Sequence, residues 1–313
     1  MHRKPFSLTL AVGILFASAA FAQAQYSVVL NDPQSPRDGS LIVAGFPVTG
    51  IPFSTAQAPS FPSLSVPPGW KSMGVLGYCN GAEVGYVSGQ LQVGGASGGA
   101  QFSVPTHAIV WQAPLYLPGD LQNSMVESVA TGCDGNVQVG SAGNGSGVSH
   151  AVMWFSSPKT QVDLHSGPYQ STGLNSINGN TQAGFGTLNR VIINGVEVNT
   201  FATHALIWHG TVKSLTDLHP AGFLDSVATQ FGPSKEVGYA DNITQDGLRI
   251  ENAFVWSGTA ASALNLHQFV PPAYNSSQAY FLDVATGVIS GTVSAVASGQ
   301  ETKTMIALWV PVQ

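Results

Sequence analysis

The residues best suited to chemistry are six of the eight histidines, because imidazole is a common metal ligand and general base. They recur in two short frames: His107, His150 and His204 in His-Ala-x-x-Trp, and His165, His219 and His267 in x-Leu-His. Metal ligands must converge to within about 2.1 Å of one ion. Side chains that recur at one place in every unit point apart, so we predict local structural roles, no metal site and no cofactor.

Carboxylates recur in the same way, at Asp120, Asp163 and Asp217 ahead of x-Leu-His. Glycoside hydrolysis needs two carboxyl groups at a defined separation. Three acids that fall outside the shared marks, Glu83, Glu197 and Glu301, are either enzyme candidates or solvated surface groups. Nucleophile-elbow and zincin motifs are absent from the chain, so we predict no catalytic residue.

The two cysteines hold equivalent places in consecutive units, since Cys79 precedes Asn80-Gly81 and Cys133 precedes Asp134-Gly135. In an exported protein such a pair predicts a disulfide. The alternative is two separate buried thiols. A bridge requires close Cα atoms, which neighbouring units reach only near a common axis, so the strand before each cysteine should be the innermost.

Tryptophans reveal the repeat that positions these residues. Five of the six end a related frame: Trp111, Trp154, Trp208, Trp256 and Trp309; Trp70 lacks it. The spacing gives about six units of about 48 residues, which is typical of repeat architectures. The marks that recur from unit to unit, not all of them in every unit, are a Ser-Val-Ala-Thr run, an Asn-Gly or Asp-Gly turn, a Val-Gly run, the Trp frame and x-Leu-His.

These marks predict four short strands per unit, because Asn-Gly and Asp-Gly favour two-residue hairpins. A four-stranded repeat of this length is a propeller blade. We therefore predict an all-β propeller of six four-stranded blades. Residues 27–31 look like a fourth strand and residues 304–312 like a third, so the N- and C-terminal strands should share one blade.

The frame around His107, His150 and His204 resembles the His-Ala-Phe repeat of exported bacterial proteins. The resemblance covers residues 106–309 in short matches. It implies export and a propeller-like fold, and it implies no established activity.

Residues 1–24 have the layout of a secretory signal peptide: a basic start, a short apolar run and small residues at a cleavage site. Residues 25–313 then form a single repeat domain. Only 8% of the chain is charged and the net charge is −6, which argues against nucleic acid as a partner. We expect a secreted or periplasmic monomer without a membrane segment.

Two functions remain open. The leading hypothesis is a non-catalytic binding or scaffold protein that recognises an extracellular protein or glycan on its loops. The alternative is a glycan-active hydrolase with its site in the central channel. Acids that converge at one mouth of that channel would favour the enzyme, whereas scattered acids would favour binding.

Overall fold

A computed structural model describes residues 26–31, 41–43, 46–48, 64, 66–79, 81–91, 102–113, 115–122, 125–143, 147–156, 160–188, 191–193, 196–198, 202–232, 234–244, 247–297 and 300–312. These residues are almost entirely strands and turns. The predicted signal peptide, residues 1–24, lies outside them. Within the described ranges, no helix has the length and apolar character needed to cross a membrane.

The strands, in chain order, are β1 (Tyr26–Asn31), β2 (Leu41–Val43), β3 (Phe46–Val48), β4 (Ser72–Cys79), β5 (Ala82–Leu91), β6 (Phe102–Gln112), β7 (Leu117–Asp120), β8 (Glu127–Asp134), β9 (Val137–Gly143), β10 (Ser149–Trp154), β11 (Val162–Asp163), β12 (Tyr169–Asn178), β13 (Thr181–Leu188), β14 (Val191–Ile193), β15 (Val196–Val198), β16 (Ala202–Trp208), β17 (Thr216–Asp217), β18 (Asp225–Phe231), β19 (Glu236–Ile243), β20 (Arg249–Trp256), β21 (Leu264–Asn265), β22 (Ser276–Leu282), β23 (Ile289–Ala297) and β24 (Gln300–Pro311).

Five antiparallel four-stranded sheets make up the propeller, and we number them as blades. Blade 1 is β4–β7, blade 2 is β8–β11, blade 3 is β12, β13, β16 and β17, blade 4 is β18–β21, and blade 5 is β22, β23, β24 and β1. The hairpins β2–β3 and β14–β15 are separate two-stranded sheets. The predicted β-propeller is confirmed.

Blade 5 joins the two ends of the chain, as predicted. β1 pairs with β24 in a continuous register from Tyr26 opposite Pro311 to Asn31 opposite Ile306. The N-terminal strand is therefore the fourth strand of a blade whose other three strands come from the C-terminal end. This pairing covers an edge of β24 that would otherwise present unpaired backbone groups.

The predicted count of six blades is not met by the described residues, which form five. The count divided chain length by tryptophan spacing and included Trp70. Trp70 precedes the first strand of blade 1, whereas the other five tryptophans each occupy the third strand of one blade. The incomplete units at the two chain ends also add up to one blade.

Close contact between the first two strands of each blade explains the recurring Val-Gly mark. A Cβ atom on Gly140 would lie 1.9 Å from the carbonyl oxygen of Val129, and one on Gly238 would lie 2.0 Å from that of Val227. Real Cβ atoms do not come this close, so only glycine fits. The first strand carries a bulge at this point in all five blades.

Apolar side chains fill the spaces between successive blades. Between blades 2 and 3, for example, Met153 packs with Leu174, Leu206 and Trp208 in one buried cluster. The five third-strand tryptophans are all buried. Each blade has one apolar face toward its neighbour, and the buried clusters link successive blades.

The first strands are the innermost, because β4, β8, β12, β18 and β22 contact one another in succession. Cys79 ends β4 and Cys133 lies near the end of β8. Their sulfur atoms are bonded, with Cα atoms 5.7 Å apart. The predicted disulfide is confirmed. We call the face at which the innermost strands begin the upper face and the face at which they end the lower face. The disulfide links blades 1 and 2 at the lower face.

Candidate functional site

The recurring histidines and aspartates form a hydrogen-bonded set that we call the latch. Between blades 2 and 3, His150 Nδ1 lies 2.7 Å from Asp163 Oδ2, and Asp163 Oδ1 accepts from the backbone N–H of His165 at 2.8 Å. His165 Nδ1 lies 3.0 Å from Thr172 Oγ1, which accepts from the Ala151 backbone N–H at 2.9 Å. The latch thus connects one blade to the innermost strand of the next.

The same latch joins blades 3 and 4. His204 Nδ1 lies 2.7 Å from Asp217 Oδ2, and His219 Nδ1 lies 2.9 Å from Ser226 Oγ. Ser226 Oγ accepts from the Ala205 backbone N–H at 2.9 Å. The buried N–H group of Ala205, on the third strand of blade 3, thus donates to a hydroxyl of the next blade rather than to the backbone of its own fourth strand.

The outer latches replace individual members. Between blades 1 and 2, His107 Nδ1 lies 2.9 Å from Asp120 Oδ2, while Gln122 stands where the second histidine would be. Between blades 4 and 5, Asn265 replaces the aspartate and accepts from the backbone N–H of His267. Since each set is engaged within its own pair of blades, the histidines do not converge on a shared point.

Imidazole rings stack in the two complete latches. The centroids of His150 and His165 are 4.0 Å apart, and those of His204 and His219 are 3.9 Å apart. Burial, followed by the facing histidine, lowers the pKa of His165 and of His219. Throughout the described ranges, no group of three or more His, Cys, Asp or Glu side chains could hold a metal ion.

Glu83 occupies a repeated position, which corrects its assignment as an acid outside the shared marks. Its equivalents are Gln138, Gln182 and Glu236, each paired across strands with the tryptophan of its blade. These three accept a backbone N–H just after the third strand, at 2.8–2.9 Å. The side chains of the other two candidates, Glu197 and Glu301, lie outside the described residues.

A different set of acids converges in blade 4, and we call it the acidic row. Asp225 pairs with Asp241 across β18 and β19, and Asp241 pairs with Glu251 across β19 and β20. Residues paired in this way share one face of a sheet, with neighbouring strands about 4.8 Å apart. Three carboxyl groups therefore stand side by side at the upper face, beginning at the innermost strand.

Arg249 holds two members of the acidic row. Its Nη2 atom lies 3.0 Å from Asp225 Oδ2 and 2.5 Å from Asp241 Oδ2. Asp225 also accepts the Thr203 backbone N–H at 2.5 Å through Oδ1. The guanidinium reduces the repulsion between carboxylates that stand directly opposite each other.

Asp241 is the most enclosed of the three acids, with its side chain 1% exposed. Burial raises the pKa of Asp241, and the hydrogen bond from Arg249 offsets only part of that rise. Oδ1 of Asp241 is buried without a hydrogen-bond partner among the described residues. Burial and the ion pair with Arg249 therefore act on the pKa of Asp241 in opposite directions, and burial is the larger effect.

Glu251 connects the acidic row to blade 5. Its Oε2 accepts a hydrogen bond of 2.6 Å from Gln278 Nε2, and the hydroxyl of Tyr280 bonds Gln278 Oε1. Tyr239 lies on the same strand as Asp241. Burial, followed by the charge of Glu251, raises the pKa of Tyr239. The row is therefore bordered by aromatic and amide groups at the junction of blades 4 and 5.

Departure from the repeat is the signal that could have revealed the acidic row. The equivalents of Asp241 are Ser88, Gly143, Thr187 and Ser294, and those of Glu251 are Thr106, Ser149, Thr203 and Thr304. At these two positions four blades have small neutral residues, whereas blade 4 has acids. Asp241 and Glu251 themselves lie outside the repeated frames, and a strand-by-strand alignment of the blades brings them together.

No family model matches the chain, and a search of curated proteins finds no relative. Among solved structures, similar folds include the catalytic domain of a Coprinopsis cinerea GH62 alpha-L-arabinofuranosidase, with 8% identity, a TM-score of 0.33 and coverage of 78% of this chain and 91% of that one. Another is the Podospora anserina alpha-L-arabinofuranosidase PaAbf62A in complex with cellotriose, with 7% identity, a TM-score of 0.32 and coverage of 93% and 98%. A GH62 hydrolase in complex with xylotriose has 9% identity, a TM-score of 0.30 and coverage of 77% and 90%.

The leading hypothesis from the sequence, a non-catalytic binding or scaffold protein, is contradicted by this comparison, in which the similar chains are glycoside hydrolases. The physical reason for the error lies in blade 4. The fold aligns Asp225, Asp241 and Glu251 there, a set that the repeated marks along the chain do not bring together.

Proposed function

We propose that this protein is a glycan-active hydrolase whose site is the acidic row of blade 4. The observation that carries the proposal is the alignment of Asp225, Asp241 and Glu251 on one sheet face, at positions where the other four blades have at most one acid in three. Residues directly opposite each other on neighbouring strands have Cβ atoms about 4.5–5.5 Å apart, so the carboxyl groups of the row can work in pairs, as glycoside hydrolysis requires.

The different environments of the acids assign their roles. Asp241 has a raised pKa and is the general acid that protonates the leaving oxygen through Oδ1. Glu251, half-buried and oriented by Gln278, is the carboxylate that acts at the anomeric carbon or on its attacking water. Two carboxyl groups whose surroundings separate their protonation states meet the requirement for acid and base work.

Arg249 controls access to the general acid. Its side chain is 59% exposed while Asp241 beneath it is 1% exposed. A substrate reaches Asp241 Oδ1 when the guanidinium of Arg249 moves aside. The carboxylate of Asp225 then remains as the counter-charge that holds the guanidinium. The predicted export of the chain agrees with an extracellular glycan as substrate.

The proposal is tested by assaying residues 25–313 for release of reducing sugar from a panel of neutral and acidic polysaccharides and aryl glycosides. We expect Asp241→Asn and Glu251→Gln each to lower the rate by about 10²–10⁴-fold, as loss of a general acid or base does. The rate of the unaltered protein should fall as the pH rises through the pKa of Asp241.

Glu236→Gln is the matched control, because it neutralises an acid on the same strand as Asp241 at a position where blades 2 and 3 have glutamine. It should leave the rate unchanged. No hydrolysis of any substrate by the unaltered protein, or full rates in Asp241→Asn and Glu251→Gln, would rule out the proposed function.

A further inference from the structure

Gln278 stands at a position of the innermost strand where the other four blades have no polar side chain. In every blade this is the residue whose carbonyl oxygen faces the repeated glycine of the second strand, as the Gln278 oxygen faces Gly291. The equivalent residues in blades 1 to 4 are Gly74, Val129, Gly173 and Val227. Because glycine and valine have no hydrogen-bonding side chain, the fold does not require such a side chain at this position.

Glu251 is a second departure from the repeat, and the two departures meet in one contact. The position of Glu251 carries serine or threonine in the other four blades. Gln278 Nε2 donates to Glu251 Oε2 at 2.6 Å across the boundary between blades 4 and 5. Each residue is exceptional for its position, and the two are hydrogen-bonded to each other. Their contact therefore indicates a role that belongs to this boundary and not to the repeat.

The boundary between successive blades is already secured at this level by a contact that the repeat supplies. In blades 2, 3 and 4 the backbone N–H at the position of Glu251 donates to a side-chain oxygen on the innermost strand of the next blade. The pairs are Ser149 with Ser171, Thr203 with Asp225 and Glu251 with Ser276, at 3.2, 2.5 and 3.3 Å. The repeat thus holds the backbone of Glu251, whereas Gln278 acts on its side chain.

The amide of Gln278 is held in the orientation that suits an ionised partner. A carboxylate accepts hydrogen bonds and cannot donate them, so the amide must turn its NH2 group toward Glu251. On its other side, Gln278 Oε1 accepts from the hydroxyl of Tyr280. Both contacts fix the same orientation of the amide. Donation of an N–H group to a carboxylate favours the charged form of the acid.

We propose that Gln278 is a positioning residue of the hydrolase, which keeps the Glu251 side chain ionised and fixes its orientation within the acidic row. This inference rests on the proposed function and extends its site from blade 4 into blade 5. Asp241 and Glu251 then differ for separate physical reasons. Burial is the larger effect on Asp241, and the amide of Gln278 acts on Glu251.

The first test replaces Gln278 by the residue that blades 2 and 4 have at this position. Gln278→Val should fold, because valine occupies the same place twice in this protein. The kcat for glycan hydrolysis should fall by about 10–100-fold, because a catalytic group loses its orientation. The KM should change little, since the lost interaction acts on the transition state and not on uniform binding.

Gln278→Glu supplies a readout that a merely structural contact would not move. At neutral pH the introduced carboxylate repels Glu251, so kcat should fall below that of Gln278→Val. As the pH falls, the introduced carboxyl group takes up a proton and can donate it to Glu251 as the amide does. The rate of Gln278→Glu relative to Gln278→Val should therefore rise toward acidic pH.

The other charged or titratable side chains of this neighbourhood stay the same in both variants. Within the described ranges they come from four strands: Asp225 on β18, Tyr239 and Asp241 on β19, Arg249 on β20 and Tyr280 on β22. A difference in pH profile between the two variants therefore reports the group introduced at position 278.

Gln230→Ala is the matched control, because Gln230 is another glutamine of an innermost strand that bonds across the same boundary. Its Oε1 atom accepts the Leu282 backbone N–H at 2.7 Å, at the end of β18 that is remote from Asp225. This variant should lower the melting temperature and leave kcat and its pH profile unchanged. If Gln278→Val behaved in the same way, Gln278 would be a structural tie and the inference would be wrong.

A carbon-13 NMR titration of the Glu251 carboxyl group tests the contact without relying on turnover, with the signal assigned by its loss in Glu251→Gln. The midpoint should lie at higher pH in Gln278→Val than in the unaltered protein. Equal midpoints would overturn the inference. If hydrolysis occurs and Gln278→Val keeps its kcat, the positioning role fails while the proposed function stands. If the midpoint moves but no glycan is hydrolysed by the unaltered protein, the proposed function fails instead.

Discussion

The latch between blades 3 and 4 and the acidic row of blade 4 lie on neighbouring strands and use the same kinds of side chain for different ends. In the latch, Asp217 is engaged by His204, by the His219 backbone and by Tyr169. Burial raises the pKa of Asp217, but these hydrogen bonds outweigh it and the pKa is lowered. In the row, burial raises the pKa of Asp241 despite Arg249.

This difference teaches how to separate structural from functional acids in a repeat protein. A repeated aspartate is surrounded by hydrogen-bond donors that belong to the repeat, as Asp120, Asp163 and Asp217 show. An acid that occurs at a given position in one blade only is not surrounded by the hydrogen-bond donors of the repeat. Its proton affinity rises with burial, and that is the property that acid catalysis requires.

The largest effect we expect on the latch comes from removing its histidine. His204→Ala leaves Asp217 without its side-chain imidazole partner and should lower the free energy of unfolding by about 1–3 kcal/mol. The rate of glycan hydrolysis by the folded protein should not change. Denaturant melts of the variant and the unaltered protein, with parallel rate assays, measure both quantities.

His204→Asn is the control for that substitution, because Asn252 stands at the equivalent place in blade 4. It should cost less than alanine. If His204→Ala abolished hydrolysis without lowering stability, the division between a structural latch and a functional row would be wrong.

A smaller effect should follow from Glu83, where the repeat position holds an acid without a described partner. Both carboxylate oxygens are buried without hydrogen bonds among the described residues, and burial raises the pKa of Glu83. Glu83→Gln restores the residue of blades 2 and 3 and should stabilise the fold by about 0.5–2 kcal/mol at neutral pH, as consensus substitutions do.

The sign of the pH dependence provides the check on Glu83. A folded-state pKa raised above 4.5 contributes stability at low pH that is lost as the pH rises through the folded value. The gain from Glu83→Gln should therefore grow in melting experiments as the pH rises from 4.5 through the folded-state pKa. A constant difference across this range would mean that Glu83 does not titrate as a buried acid.

The smallest effect we expect is the acid sensitivity of the stacked histidines. Folded-state pKa values lowered below 6.5 mean that the unfolded chain binds more protons, so stability falls as the pH drops below 6.5. The double variant His165→Gln and His219→Gln, which copies Gln122 of the first latch, should show a shallower fall. Melts between about pH 7.5 and pH 5 measure it, and equal slopes would refute the prediction.

Much of the fold was predictable because it depends on local, repeated marks. The tryptophan frame located the third strand of every blade, and the paired cysteines predicted a contact between innermost strands that the disulfide confirms. The complementary end fragments predicted the composite blade. The count of six blades is not confirmed, because the described residues form five four-stranded sheets. The resemblance to the His-Ala-Phe repeat stays a prediction.

By itself the sequence determined the all-β class, the repeat, the bridge between Cys79 and Cys133 and the shared terminal blade, since each follows from spacing along the chain. Only the tertiary structure decided that Asp225, Asp241 and Glu251 form one row. The physical reason is register: side chains far apart in the chain become neighbours only when hydrogen bonding sets which residues lie opposite each other.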